Sequence, residues 1–127
     1  MRREPVIETL WRSGKRLAEA VGSAIRAAGL EGTIGLRGMA PWTLLAISDH
    51  PNGSSQAIKT MLIYELAARG VLGFGSHNVS FAHTEADLRQ AAMAYAGALS
   101  SIREALEAGR IENRMRVPPL EPVFRVR

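Results

Sequence analysis

The sequence predicts an α+β domain in which three helices pack on one face of a small, mainly antiparallel sheet of three or four strands. Two observations lead to this fold class. Three long stretches carry apolar residues at helical spacing, and the segments between them are short β-rich runs bounded by glycine and proline. The predicted order is α-β-β-α-β(-β)-α, followed by an extended C-terminal tail.

Length and composition limit the class of protein. With 127 residues, of which 46% are hydrophobic and 22% charged, the chain resembles one soluble globular domain over residues 1–127. No apolar run approaches the roughly 20 residues of a membrane helix, and the basic residues 1–5 do not lead into the apolar core of a signal peptide. The chain has no cysteine, which excludes disulfides and thiol chemistry. We expect a cytoplasmic protein without membrane contact.

The net charge of +4 comes mainly from arginines near the two ends of the chain. These are Arg2, Arg3, Arg110, Arg114, Arg116, Arg125 and Arg127. A nucleic-acid surface needs basic residues clustered on one face, with aromatic or glycine-rich segments between them. The charge pattern therefore favours solvated or interface-forming termini over nucleic-acid binding.

Residues 6–28 have the pattern of an amphipathic helix. Its apolar stripe comprises Leu10, Leu17, Val21, Ala24 and Ala28. Pro5 suits the first turn, and Gly29 suits the left-handed residue that follows the last turn. Gly14 and Gly22 each cost the helix about 1 kcal/mol relative to alanine, which suggests that another element approaches closely there.

Two short β-rich runs follow at residues 33–37 and 42–47. The segment between them, 38–41, contains glycine and proline and is too short for a crossover, so it indicates a hairpin. Residues 49–53 are a loop by composition.

A second helix is predicted as far as Arg69, capped by Ser54 or Ser55 and stopped by Gly70. The residues at helical spacing on one side are Ile58, Met61, Leu62, Glu65, Leu66 and Arg69. Glu65 and Arg69 are one turn apart, and an ion pair between them would contribute about 0.3 kcal/mol.

Residues 70–84 are rich in glycine and contain two of the three histidines. The alternation around Val79 and Phe81 predicts one bent strand or two short strands. Thr84 then opens a third helix with a pattern like a capping box, in which Asp87 replaces the usual Glu or Gln. The apolar stripe of this helix comprises Leu88, Ala91, Ala92, Tyr95, Leu99, Ile102 and Leu106.

Gly109 ends the third helix, and residues 110–127 form the tail. Three prolines and the lack of a helical period predict that the tail is extended over the surface. Val123 and Phe124 are expected to be held against an apolar surface.

Spacing does not support a complete active site. His77 and His83 are six residues apart, about 20 Å along an extended strand, and no third metal ligand has a matching position. Ser76 and Ser80 lack a Gly-x-Ser-x-Gly elbow, so a hydrolase remains a poorly supported alternative. No residue is assigned a catalytic role.

Lys59 is the only plausible lysine for a Schiff base on a well-formed element. Its helical neighbours Gln56, Tyr64 and Glu65 are polar, and they indicate a solvated face instead.

Two segments resemble class III aminotransferases. Residues 59–72 (KTMLIYELAARGVL) are similar to the family segment Lys-x-x-Phe-x-Gln-Glu-x-x-x-Arg-Gly-Val/Leu-Leu, with Tyr64 in place of the glutamine. Residues 75–78 (GSHN) and 80–87 (SFAHTEAD) resemble the run His-Asn-x-Ser-x-Ala-His-Thr-x-x-Asp of the branch related to glutamate-1-semialdehyde aminomutase.

The resemblance extends over essentially the whole chain. Residues 11–17 are similar to the start of the family's C-terminal domain, and 119–127 to the end of its sugar-biosynthesis members. The resemblance implies the small C-terminal domain of a pyridoxal-phosphate enzyme, without the large domain that binds the cofactor. In it, Lys59 corresponds to a surface lysine and not to the cofactor lysine.

The implied function follows from what such a domain lacks. We expect no cofactor in this chain alone, although the intact family enzyme uses pyridoxal phosphate. We expect it to be inactive until a large domain or partner chain, in a homo-oligomeric enzyme, completes the substrate cleft. Whether the chain by itself is an enzyme stays open, as do its substrate and amino donor.

The resemblance places residues 70–84 on the side of the substrate cleft. The candidate cleft residues are His77, Asn78, Ser80 and His83. The alternative for each is a structural role, in which the side chain ties the strand to its neighbours or caps the third helix. For Ser80 and His83 the structural role is favoured.

A second hypothesis is a stand-alone binding or interaction module. A small domain without its large domain would expose apolar surface, which favours dimerisation or a partner. The basic termini would allow weak nucleic-acid binding in such a module, which would depend strongly on salt.

Overall fold

The computed structural model describes residues 6–73, 75–80 and 82–121. In chain order its elements are α1 (Val6–Ala27), β1 (Ile34–Met39), β2 (Trp42–Ile47), α2 (Ser55–Ala68), β3 (Ser76–Asn78), α3 (Glu85–Glu107) and a 3-10 helix (Ile111–Arg114). The strands form an antiparallel sheet in the order β1-β2-β3. The predicted α+β class and order are confirmed, with one strand between α2 and α3.

The helices cover one face of the sheet. Ile34 is part of the buried core, and Leu36, Leu45 and Ile47 pack against that core. Because successive strand residues point to opposite faces, the residues between them point away from the helices. The outer face thus carries exposed apolar side chains, among them Met39, Trp42 and Leu44.

The core is built around α3. Its buried residues are Ala94, Tyr95, Ala98, Leu99, Ile102, Ala105 and Leu106. They meet Val21 and Ile25 of α1 and three side chains of α2, which are Ile58, Leu62 and Leu66. The apolar stripes read from the sequence therefore identify the packed faces of the three helices, although Ile25 was not in the predicted stripe.

The predicted starts of α2 and α3 and the glycines that follow α1 and α2 are confirmed. The side chain of Ser54 accepts a hydrogen bond from the backbone N–H of Ala57 at 3.1 Å, and Thr84 and Asp87 form a reciprocal capping box. Gly29 and Gly70, with φ of 67° and 81°, adopt the left-handed conformation after α1 and α2.

Gly14 allows α1 to contact the β1–β2 turn directly. A Cβ placed on Gly14 would lie 1.9 Å from the carbonyl oxygen of Ala40, well inside van der Waals contact. By contrast, a Cβ on Gly22 would meet only the end of the Arg26 side chain, at 3.4 Å. The expected close approach is therefore confirmed at Gly14.

Arg69 joins α2 to α3. It forms the predicted ion pair with Glu65 and also donates a hydrogen bond to Ser101 Oγ at 3.3 Å. It reaches α3 over Gly97, where a Cβ would come within 2.5 Å of Arg69 Nε. Both ionic partners are less than half exposed, so water screens this pair less than a fully exposed one.

The tail differs from the prediction at its start. Residues 110–114 do not run extended, because the 3-10 turn buries the side chain of Ile111 against Gly53 and Leu106. The N–H of Ile111 donates to the Asn52 carbonyl at 2.8 Å. Residues 115–121 have no regular structure, and Leu120 N–H donates to Thr60 Oγ1 at 2.8 Å. The tail therefore crosses α2, as expected of a surface segment.

The strand predicted around Val79 and Phe81 is shorter than expected. It ends at Asn78, because Val79 is buried with its N–H bonded to the Pro41 carbonyl, and the chain then turns into α3. Phe81, Pro5, Val123 and Phe124 lie outside the described residues, as do the four arginines nearest the two ends. Within the described ranges, no helix is long and apolar enough to cross a membrane.

We predict that Gly14→Ala destabilises the fold, although alanine is the better helix former. The new methyl group would collide with the Ala40 carbonyl, which moves α1 off the hairpin at a cost of about 2 kcal/mol. Gly22→Ala is the matched control and should be neutral or more stable by up to about 1 kcal/mol. Urea denaturation of both variants measures the difference. Equal stability of the two would contradict the contact.

Candidate functional site

An open cleft of about 270 Å³ lies between β3, the first turns of α3 and the glycine-rich segment after α2. Its described polar lining consists of Ser76, His77, Asn78, His83, Asp87, Gln90 and Tyr95. Leu17, Val71 and Leu88 form apolar parts of the wall. Of the four predicted cleft residues, His77, Asn78 and His83 line the cleft and Ser80 does not.

His77 is fixed by two side chains from neighbouring elements. Its Nδ1 lies 2.8 Å from Thr43 Oγ1, directly across the β2–β3 ladder, and its Nε2 lies 2.5 Å from the hydroxyl of Tyr95 on α3. The rings of His77 and Tyr95 meet edge to face, with centroids 5.2 Å apart. Both ring nitrogens are therefore occupied, and His77 ties β3 to β2 and α3.

The environment keeps both rings of this pair neutral. Burial lowers the pKa of His77 below its ordinary value of 6.5, because the imidazolium loses hydration. Burial also raises the pKa of Tyr95 above the range of physiological pH, so its hydroxyl keeps its proton. His77 is therefore a positioning residue of the cleft wall and offers no free nitrogen to a ligand.

Ser80 and His83 close the turn between β3 and α3. His83 Nδ1 accepts a hydrogen bond from the backbone N–H of Ser80 at 2.8 Å, and the Ser80 hydroxyl lies 3.3 Å from the same nitrogen. β3 ends at Asn78, so His77 and His83 do not lie on one extended strand, and both line the cleft. Ser80 and His83 therefore have the structural role that the sequence favoured, since they hold this turn together. His83 also lines the cleft.

Asn78 is exposed at the end of β3, on the outer face of the sheet opposite Trp42. Asp87 is occupied by the helix cap. The hydrogen bond from the Thr84 backbone, followed by that from the Thr84 hydroxyl side chain, lowers the pKa of the Asp87 carboxyl. The carboxylate is thus committed to the N-terminus of α3.

Sequence reasoning missed Tyr95 as a cleft residue and Thr43 as a partner of His77. Tyr95 was identified only as a core position, yet a buried tyrosine hydroxyl needs a hydrogen-bond partner, and this need could have indicated a polar neighbour. Which residue bonds to the Tyr95 hydroxyl depends on the register of β3, and three residues are too few to predict that register from the sequence. Thr43 had no comparable signal.

The cleft does not fit pyridoxal phosphate. This cofactor needs a lysine for covalent attachment, an acidic partner for its ring nitrogen and donors for its phosphate. The chain has two lysines, Lys15 and Lys59, and no lysine or arginine is among the described lining residues. The sequence indicated a solvated Lys59, but in the structure its side chain is half-buried and lies beside Gly75. In the described ranges no three His, Asp or Glu side chains are grouped to hold a metal ion.

The fold is similar to part of one solved structure, described as a transaminase with PLP bound. The match has a TM-score of 0.67 and 20% identity, and it covers 80% of this chain and 24% of that chain. This chain thus corresponds to about a quarter of the solved one, and at this identity the likeness shows the fold. Scans against protein-family models and curated proteins found no match.

We predict that Tyr95→Phe destabilises the protein by about 1–3 kcal/mol, because Nε2 of the half-buried His77 loses its partner. Tyr64→Phe is the matched control, since Tyr64 is 41% exposed. Chemical denaturation at pH 7.5 compares the two variants. A Tyr95→Phe protein as stable as the Tyr64→Phe protein would contradict the proposed bond.

We also predict a loss of stability on mild acidification that depends on His77. The folded pKa is lowered, so below about pH 6.5 the unfolded chain binds a proton at His77 that the folded chain does not bind. The free energy of unfolding should therefore fall as pH drops through this value and change little above about pH 7.5. His77→Gln should show a smaller fall between pH 7.5 and 5.5. Parallel curves for the two proteins would be inconsistent with a buried, neutral His77.

Proposed function

We propose that this chain is the small-domain part of a pyridoxal-phosphate-dependent, transaminase-like enzyme. The observation that carries the proposal is the fold likeness over 80% of the chain to one quarter of a transaminase chain. Further support comes from residues 75–87, whose run resembles the aminomutase-like branch of class III aminotransferases. The described residues of this run include β3 and the start of α3, and several of them line the cleft.

The remaining parts of such an enzyme come from elsewhere. We propose that a large domain or a partner chain, within a homo-oligomeric assembly in the cytoplasm, binds the cofactor, which would supply the electronic chemistry of transamination. The cleft described above would then be a substrate-facing wall. The lining residues fit pyridoxal phosphate poorly, and this supports the proposal that the chain is inactive alone.

The side chains of the cleft would bind and orient the substrate. His77 and Tyr95 hold the wall in place, and Asn78 is an exposed residue at its rim. Because His83 Nδ1 accepts a bond from Ser80, the neutral ring carries its proton on Nε2, which is a donor for a substrate oxygen.

We predict that the purified chain does not capture pyridoxal phosphate. Addition of one equivalent should produce no new visible absorption band, and borohydride reduction should add no mass, because no enclosed lysine is present in the cleft. Absorbance and intact-mass measurements test this expectation. Capture that is lost in Lys59→Arg but retained in Lys15→Arg would overturn the proposal, since it would assign a cofactor lysine to this chain.

We further predict that the chain completes a large domain encoded by the neighbouring upstream sequence. Co-expression should give a complex that binds pyridoxal phosphate and transaminates. In that complex His83→Ala should raise KM about tenfold with a smaller change in kcat, as expected for loss of a substrate hydrogen bond. Ser101→Ala, remote from the cleft, is the control. Full activity of the large domain without this chain would contradict the proposal.

A further inference from the structure

Thr43, His77 and Tyr95 form one hydrogen-bonded row that runs from the sheet to α3. Thr43 Oγ1 lies 2.8 Å from Nδ1 of His77, and the Tyr95 hydroxyl lies 2.5 Å from Nε2. Among the described residues, neither hydroxyl group has a further hydrogen-bond partner. The row therefore contains two hydrogen bonds, and no described residue extends it at either end.

This row holds one proton more than its two hydrogen bonds use. Each hydroxyl group carries one proton, and a neutral imidazole carries one proton on either Nδ1 or Nε2. The ring of His77 is neutral, since burial lowers its pKa below the ordinary value. One hydroxyl proton is thus left without an acceptor in the row. The tautomer of His77 decides whether that proton belongs to Thr43 or to Tyr95.

The two ends of the row have different surroundings. Thr43 is 5% exposed, lies on the same face of β2 as Leu45 and Ile47, and is not among the described residues that line the cleft. A proton on Nδ1 would make Thr43 an acceptor and leave its own proton buried and unpaired, which is costly. Tyr95 is also buried, but it lines the cleft. A hydroxyl proton at that end can be donated to water or to a ligand.

We propose that Tyr95 donates a hydrogen bond to an oxygen of a ligand in the cleft. Thr43 then donates to Nδ1 of His77, and the proton on Nε2 is donated to the Tyr95 oxygen. Because hydrogen bonds in a chain polarise one another, the row strengthens the bond from Tyr95 to the ligand. Thr43 and His77 are positioning residues, and Tyr95 is the residue that contacts the ligand.

The charges of the lining favour a neutral carbonyl oxygen as the acceptor. No lysine or arginine is among the described lining residues, whereas the carboxylate of Asp87 is. A carboxylate ligand would lose hydration near this negative charge without a cation to compensate for it. The oxygen of a ketone or amide accepts from Tyr95 without that penalty. This inference does not rest on the proposed function, because the row and the cleft belong to this chain alone.

Nuclear magnetic resonance of the isotope-labelled full chain tests the tautomer, at about pH 8, where an ordinary imidazole is neutral. His50 and His83 are internal references. Their Nδ1 atoms accept the backbone N–H groups of Asn52 and Ser80, so Nε2 carries the proton in both rings. We expect His77, assigned by the loss of its signals in His77→Gln, to show the same protonation. A proton on Nδ1 of His77 would overturn the inference.

Two probes of the same size test the donor. Acetamide offers a neutral carbonyl group, and acetate offers a carboxylate. We expect acetamide to shift the ring signals of Tyr95 and His83 saturably, with a dissociation constant of about 10–100 mM, as is ordinary for so small a ligand. Acetate should bind at least about threefold more weakly, because its charge is not compensated.

Variants separate the donor from the structural role of the row. Tyr95→Phe should weaken acetamide binding at least about fivefold, and Tyr64→Phe, on the exposed side of α2, is the matched control. Thr43→Val removes the donor to Nδ1, so the proton of His77 should spread over both nitrogens and acetamide should bind more weakly. Thr43→Ser keeps the hydroxyl group and should restore both properties.

Three results would contradict the assignment of Tyr95 as a donor to the ligand. The first is equal binding of acetamide by the Tyr95→Phe and Tyr64→Phe proteins. The second is acetate binding as tight as that of acetamide. The third is the lack of a saturable shift up to about 200 mM acetamide, twice the weakest expected dissociation constant.

Discussion

The bond between His77 and Tyr95 holds the shortest strand against the longest helix. β3 has three residues, too few for backbone pairing alone to fix it, and it lies at an edge of the sheet. Thr43 on one side and Tyr95 on the other occupy both imidazole nitrogens. The cleft beside β3 has a defined wall because this ring is half-buried, neutral and hydrogen-bonded on both sides.

The same strand separates two different surfaces. Helices cover the inner face of the sheet, which His77 joins, and no element of the described ranges covers the outer face, as is common in antiparallel sheets. The open face is not uniformly polar, since Met39 and Trp42 project from one end of it. A monomer exposes such a pair at some cost in solubility, and a contact that covers it removes the cost.

Local chemistry made most of the fold predictable from the sequence. The helical stripes, the Ser54 and Thr84 caps and the positive-φ glycines depend on residues within about one turn of each other, which a sequence displays directly. The sequence indicated that another element approaches Gly14 closely, but it did not identify Ala40 as the contact. The Ile111 turn and the end of β3 at Asn78 depend on distant burial and backbone partners, so local pattern predicted them wrongly. Three of the residues that line the cleft were predicted from the sequence. The contacts of His77 with Thr43 and Tyr95 could not be inferred without the strand register.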